Sequence, residues 1–127
     1  MDKAALINID IDRGAEVVDI LDRAKLRPKV VMWAHLSEYE DWRLVIAARE
    51  FDALEIRAAY RRIHDTLRAE GMTPGKTPEL MIFSMTDPFI KSLRRTFGKS
   101  KSVEGRRLGG QMFGDRFVED GFVYRIS

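Results

Sequence analysis

The stretch KVVMWAHLSEYEDWRLVIAA, Lys29 to Ala48, decides how the rest of the chain is read. An apolar run (Val30, Val31, Met32, Trp33, Ala34, Leu36) is followed by Ser37, Glu38, Tyr39, Glu40 and Asp41, which have turn composition, and then by a second run from Trp42. Each flank has the length and the β-branched or aromatic content of a strand, so the stretch reads as a central β-hairpin. In the first strand both alternating sets are apolar and only His35 is polar, as expected of a strand covered on both faces. In the second, Trp42, Leu44, Ile46 and Ala48 share one face, and Arg43, Val45 and Ala47 share the other. That smaller, partly polar face places the second strand nearer an edge or under a thinner cover.

The elements around the hairpin follow from period and punctuation. Before it, Ile7, Ile9 and Ile11 alternate with Asn8, Asp10 and Asp12, which predicts a half-buried strand over Leu6 to Asp12 with Asp12 as a helix cap. A helix over Arg13 to Leu26 then carries the stripe Val17, Ile20, Leu21, Ala24, and Pro28 closes it. After the hairpin, Asp52 and Glu55 open a helix from Ala53 to Glu70 with Ile56, Ala59, Tyr60, Ile63 and Leu67 inward, Arg61 paired with Asp65, and Gly71 as terminator. Met72 to Pro78 reads as a loop and Leu80 to Met85 as a third core strand. Thr86 and Asp87 cap a helix with Pro88 at its first position, which buries Phe89, Ile90, Leu93 and Phe97 and stops at Gly98. Past a basic loop, Asp120-Gly121 between Phe117-Val118 and Phe122-Val123-Tyr124 signals a final hairpin. The sum is a single α+β domain, residues 1–127, with an antiparallel or mixed sheet built around the central hairpin and about three helices packed on it.

At 127 residues, 45% hydrophobic and 33% charged, the composition is that of one folded soluble domain. Cysteine is absent, which excludes disulfides, a thiolate nucleophile and cysteine-ligated zinc, and suits a reducing cytoplasm. Met1 to Asp12 has neither the basic start nor the apolar centre of a secretory leader, and no run reaches the ~18 apolar residues that span a bilayer, so no membrane association is expected.

Several residue groups invite chemistry. Gly71-Met-Thr-Pro-Gly75-Lys76-Thr77 ends like a phosphate-binding loop, but it is one residue short between the glycines, follows a helix and runs into Pro78. Asp10 and Asp12 on one strand face form a carboxylate pair of the type that holds Mg²⁺, although a solvated edge and a helix cap account for both. His35 and His64 are the right residue type for an acid and a base, yet each follows an apolar neighbour that suits a partly buried structural histidine. Nothing around Ser37 resembles a nucleophile elbow. Accordingly no catalytic residue, metal or cofactor is assigned.

Charge is informative by distribution, since the net charge is only +2. Met1 to Glu50 holds ten acidic and eight basic residues, whereas Lys91 to Ser127 holds nine basic and four acidic. Lys91, Arg94, Arg95, Lys99, Lys101, Arg106 and Arg107 form a basic segment fit to follow a phosphate backbone, though without interleaved exposed aromatics. Tyr39 and Trp42 beside Glu38, Glu40 and Asp41 have the make-up of a protein contact. The leading expectation is therefore a non-catalytic accessory or regulatory binding module in the cytoplasm, acting through a protein partner or as a homo-oligomer. The alternative is a nucleic-acid-binding protein, with small-ribonuclease activity as its extreme form, that uses the basic segment.

Overall fold

The computed structural model describes residues 6–100 and 102–127. The central hairpin is present: β1 (Val30–Leu36) and β2 (Arg43–Ala47) run antiparallel, with Val30 opposite Ala47 and Ala34 opposite Arg43. Around it lie α1 (Asn8–Arg23), α2 (Arg49–Asp52), α3 (Ile56–Ala69), β3 (Leu80–Ile82), α4 (Pro88–Phe97), β4 (Arg107–Leu108), β5 (Gln111–Phe113) and β6 (Arg116–Ile126). The sheet order is β3-β2-β1-β6-β4, with β5 also on β6. Only β2 and β3 are parallel, joined by the α2–α3 crossover, so the fold is α+β with a six-stranded mixed sheet. Among the described residues, no helix is long and apolar enough to cross a membrane.

Alternation along β1 builds two cores. Val30, Met32, Ala34 and Leu36 pack with Phe89, Ile90, Leu93 and Phe97 of α4 on one face. Val31 and Trp33 pack with α1 and α3 on the other, through Val17, Ile20, Leu21, Ala59, Ile63 and Leu67. The strand read as central is central. β2 is interior too, because β3 adds along its far side and takes the edge.

Other expectations give way to tertiary packing. Leu6 to Asp12 is no strand: α1 begins at Asn8, Ile7 and Ile9 are about half exposed, and Asp10 is buried. The Asp10 carboxylate accepts from the Ile7 amide at 3.2 Å, which anchors the first turn from its third position and displaces Asp12 as cap. α1 stops at Arg23, and Lys25 and Arg27 take positive φ before Pro28. Asp52 ends α2 and accepts from the Met85 amide at 3.1 Å rather than capping α3, whose Ile56 is exposed. Asp65 pairs with Arg68, not Arg61, and β3 stops at Ile82. At α4 the expectation holds, with the Asp87 carboxylate accepting from Phe89 N at 2.9 Å and Pro88 at the first position.

The C-terminal hairpin exists, but not at Asp120-Gly121. β6 runs through both residues, with register shifts opposite Val31/Met32 and His35/Leu36 that bulge the strand. The turn is Gly114-Asp115, between Phe113 and its partner Arg116, with Gly114 at φ +62°. Met1 to Ala5 and Lys101 lie outside the described residues, and with them part of the leader reading and one member of the basic segment.

Candidate functional site

At the turn end of the hairpin a cavity of about 440 Å³ is walled by Asp10 and Arg13 of α1, Trp33 of β1, Asp41 to Arg43 of the hairpin and Lys76 to Glu79 ahead of β3. The α1 wall is held by hydrogen bonds to its first turn. Trp33 Nε1 donates to the Asp10 carbonyl at 3.1 Å and lies 3.1 Å from the Tyr124 hydroxyl, which donates to the Ile11 carbonyl at 2.6 Å. Burial pushes the Tyr124 phenol up to about 12; the Trp33 hydrogen bond opposes this, and the Asp12 and Asp10 charges add to it. Gly14 leaves space for that phenol, because a Cβ there would stand 2.2 Å from its oxygen.

Across the cavity, Trp42 is 4% exposed and lies 5.7 Å, ring to ring, from His35, whose Nε2 is 3.5 Å from Glu119. Its indole N–H is buried and has no acceptor among the described residues. Arg43 Nε and Arg116 Nε share that condition, but their guanidinium groups rest on the rings of Tyr39 and Phe83 at 4.6 and 5.1 Å. Arg43 also reaches Glu79 at 3.7 Å. Arg13 is half-buried and Lys76 exposed, and neither has an acid partner among the described residues.

The residues singled out by sequence are distributed unevenly about this site. Lys76 and Thr77 are in its wall, but the loop forms a 3₁₀ turn over Pro74–Lys76 and passes into β3, so no helix N-terminus faces them. The Thr77 hydroxyl donates to the Thr73 carbonyl at 2.9 Å. Asp10 is in the wall, Asp12 is exposed, and among the described residues no three His, Asp or Glu side chains converge as a metal site. His35 lies beside Trp42 and Glu119, whereas His64 is exposed on α3 and lines a second cavity of about 420 Å³ with Tyr60, Arg68 and Met72. No described cavity contains both histidines. Tyr39 packs half-buried against the α4-side core. Arg13, the Trp33–Tyr124 pairing and the buried Asp10 were not readable, because all depend on a helix where alternation suggests a strand.

The basic segment follows several directions. Lys91, Arg95, Lys99 and Arg106 are exposed and have no acid partner among the described residues. Arg106 lies over the Phe97 ring at 5.4 Å, and Arg94 Nε donates to the Ser127 carbonyl at 2.7 Å. Arg107 pairs with Asp120 at 3.0 Å and projects from the sheet face opposite to Leu108, away from α4. Comparison of the chain with models of known protein families, with curated proteins and with solved structures returned no match.

Proposed function

We propose that this chain is a non-catalytic accessory or regulatory binding module of the cytoplasm, working through protein contacts at the hairpin-tip cavity. The observation that carries this reading is the cavity of about 440 Å³ at the hairpin tip, walled by two indoles, a proline and charged groups. No histidine lines the cavity, and the Thr77 hydroxyl is bonded to its own loop, so the wall does not hold a hydroxyl activated by a histidine. The test is a panel of unstructured peptides with free, amidated and internal ends, followed by emission of Trp33 and Trp42. Saturable binding weakened by Trp42→Phe supports the reading; no binding anywhere in the panel rejects it.

The second reading is nucleic-acid binding, supported by four exposed cations, Lys91, Arg95, Lys99 and Arg106, that have no acid partner among the described residues. It requires affinity for a short RNA or duplex that falls steeply with salt and disappears when the four are changed to Ala. Binding that survives those changes removes the basic segment as its cause.

A further inference from the structure

We infer that two copies of this chain pair through the β4–β5 edge of the sheet, antiparallel and about a two-fold axis, to form a dimer. None of the residues involved lines the hairpin-tip cavity, so the inference is independent of the reading above. The two edges of the sheet differ. At β3 the outward Ile82 amide is occupied by the Tyr60 hydroxyl at 2.9 Å. At the other end β4 and β5 both lie on β6, and among the described residues no strand pairs with their far side. Gly114, at φ +62°, opens a two-residue turn that Phe113 and Arg116 close as a hydrogen-bonded pair. By alternation Gln111 and Phe113 bond to β6, and the Met112 N–H and C=O point toward the open edge.

What fits that edge is a second copy of it. Charge is graded along it, with Arg106 and Arg107 at the β4 end and Asp115 at the turn. Arg106 and Asp115 are exposed, and neither has an ion-pair partner among the described residues. Laid antiparallel on itself with the two Met112 residues opposite, the edge brings each Asp115 turn alongside the other copy's Arg106–Arg107 end, twice per dimer. A parallel approach would set acid against acid and arginine against arginine. The centre matches as well. Met112 and Phe117 are directly opposite one another and 55% and 36% exposed. Two-fold pairing sets the methionines side by side, so that both Met112–Phe117 pairs join into one apolar row across four strands. The assembly closes at two copies, because the far edges of the joined sheets are the β3 strands that Tyr60 caps.

The experiment is sedimentation equilibrium of the full chain over a hundredfold range of concentration. A reversible dimer is expected, dissociating on the order of 10 to 100 μM, since a short edge contact is at the small end of protein interfaces. Asp115→Arg and Arg106→Asp are each expected to weaken it about tenfold, by turning two attractions into repulsions. An equimolar mixture of the two variants is expected to regain the natural chain's association, because unlike charges then face one another at both contacts. Both positions are exposed, and unfolding temperatures unchanged at dilution are expected to show that each variant folds. A second measurement needs no variant: amide exchange at Met112 is expected to slow as the dimer forms. A natural chain that stays monomeric throughout overturns the inference and leaves the edge for a strand of another protein. Variants that associate as the natural chain does, or a mixture no tighter than either variant alone, overturn the antiparallel pairing. So do assembly beyond the dimer and Met112 exchange that ignores concentration.

Discussion

At the scale of single residues, two contacts hold the ends of α1, and each has a pH signature. Tyr124 bonds the first turn and Asp22 the last. With its phenol pushed up to about 12 from an ordinary value of 10, Tyr124 holds its proton more tightly in the folded state. Its contribution is therefore complete below pH 10 and is lost as pH rises through 12. Tyr124→Phe is expected to cost about 1 kcal/mol near neutrality, the worth of its hydrogen bonds, and to show a smaller loss of stability between pH 10 and 12 than the natural protein. Urea unfolding across that interval checks this, and parallel curves for the two proteins refute it. Asp22 behaves oppositely. Its bidentate contact with Arg125, at 2.7 and 2.9 Å, holds its carboxyl below the usual 3.8 against the opposing effect of burial. That contribution is present above pH 3.8 and fades as pH falls through the lowered value. Since about a third of each side chain remains open to water, Asp22→Asn is expected to cost only about 1 kcal/mol at pH 7, with the difference closing in acid. A difference that persists at pH 2 contradicts the assignment.

Elements whose fate depends on local chemistry were legible, and those decided by a distant neighbour were not. The hairpin, the buried Ala59, Ile63 and Leu67 of α3, and α4 with its Asp87 cap and Pro88 start rest on composition and spacing within one element. The start of α1 does not: Ile7, Ile9 and Ile11 alternate as a strand would, and contacts from Trp33 and Tyr124 hold that segment as helix. The same applies to β6, where Asp120-Gly121 has turn composition but β1 pairs along both sides of it. Gly121 is needed there for space, because a Cβ would meet Met32 Cε at 2.9 Å and Trp33 O at 3.1 Å. Gly114 is needed for conformation as well as space, at φ +62° with Pro88 backbone 2.6 Å from a Cβ. Gly114→Ala is therefore expected to cost more, about 2 kcal/mol or above, than Gly121→Ala at about 1, since the methionine end can move and Trp33 O at 3.1 Å is a milder contact than the Pro88 backbone at 2.6 Å, which comes with the positive φ. The reverse ranking in chemical denaturation would return the turn to Asp120-Gly121.

On the scale of the whole molecule, the candidate site was legible only in pieces. Lys76, Thr77, Asp10 and Trp42 were each noticed, but three separated segments meet at the cavity, and one sequence contains no term for their distance. The same holds for how the sheet ends. β3 is an open edge, and its outward Ile82 amide is a donor of the kind that recruits another strand. Tyr60 of α3 occupies it, its hydroxyl accepting from Ile82 N at 2.9 Å. Directly opposite one another on β5 and β6, Met112 and Phe117 remain 55% and 36% exposed, leaving an apolar pair at the other end of the sheet. Self-association therefore has a blocked route and an open one. Tyr60→Phe keeps the ring and removes the acceptor, so it is expected to cost about 1 kcal/mol and to raise the sedimentation coefficient with concentration. Met112→Lys is expected to leave stability within about 0.5 kcal/mol and to suppress whatever association the natural chain shows. Association of Tyr60→Phe no stronger than that of the natural chain would mean that the tyrosine is not what keeps the β3 edge from pairing. Natural-chain association unaffected by Met112→Lys would place the interface elsewhere and leave the apolar pair as ordinary surface.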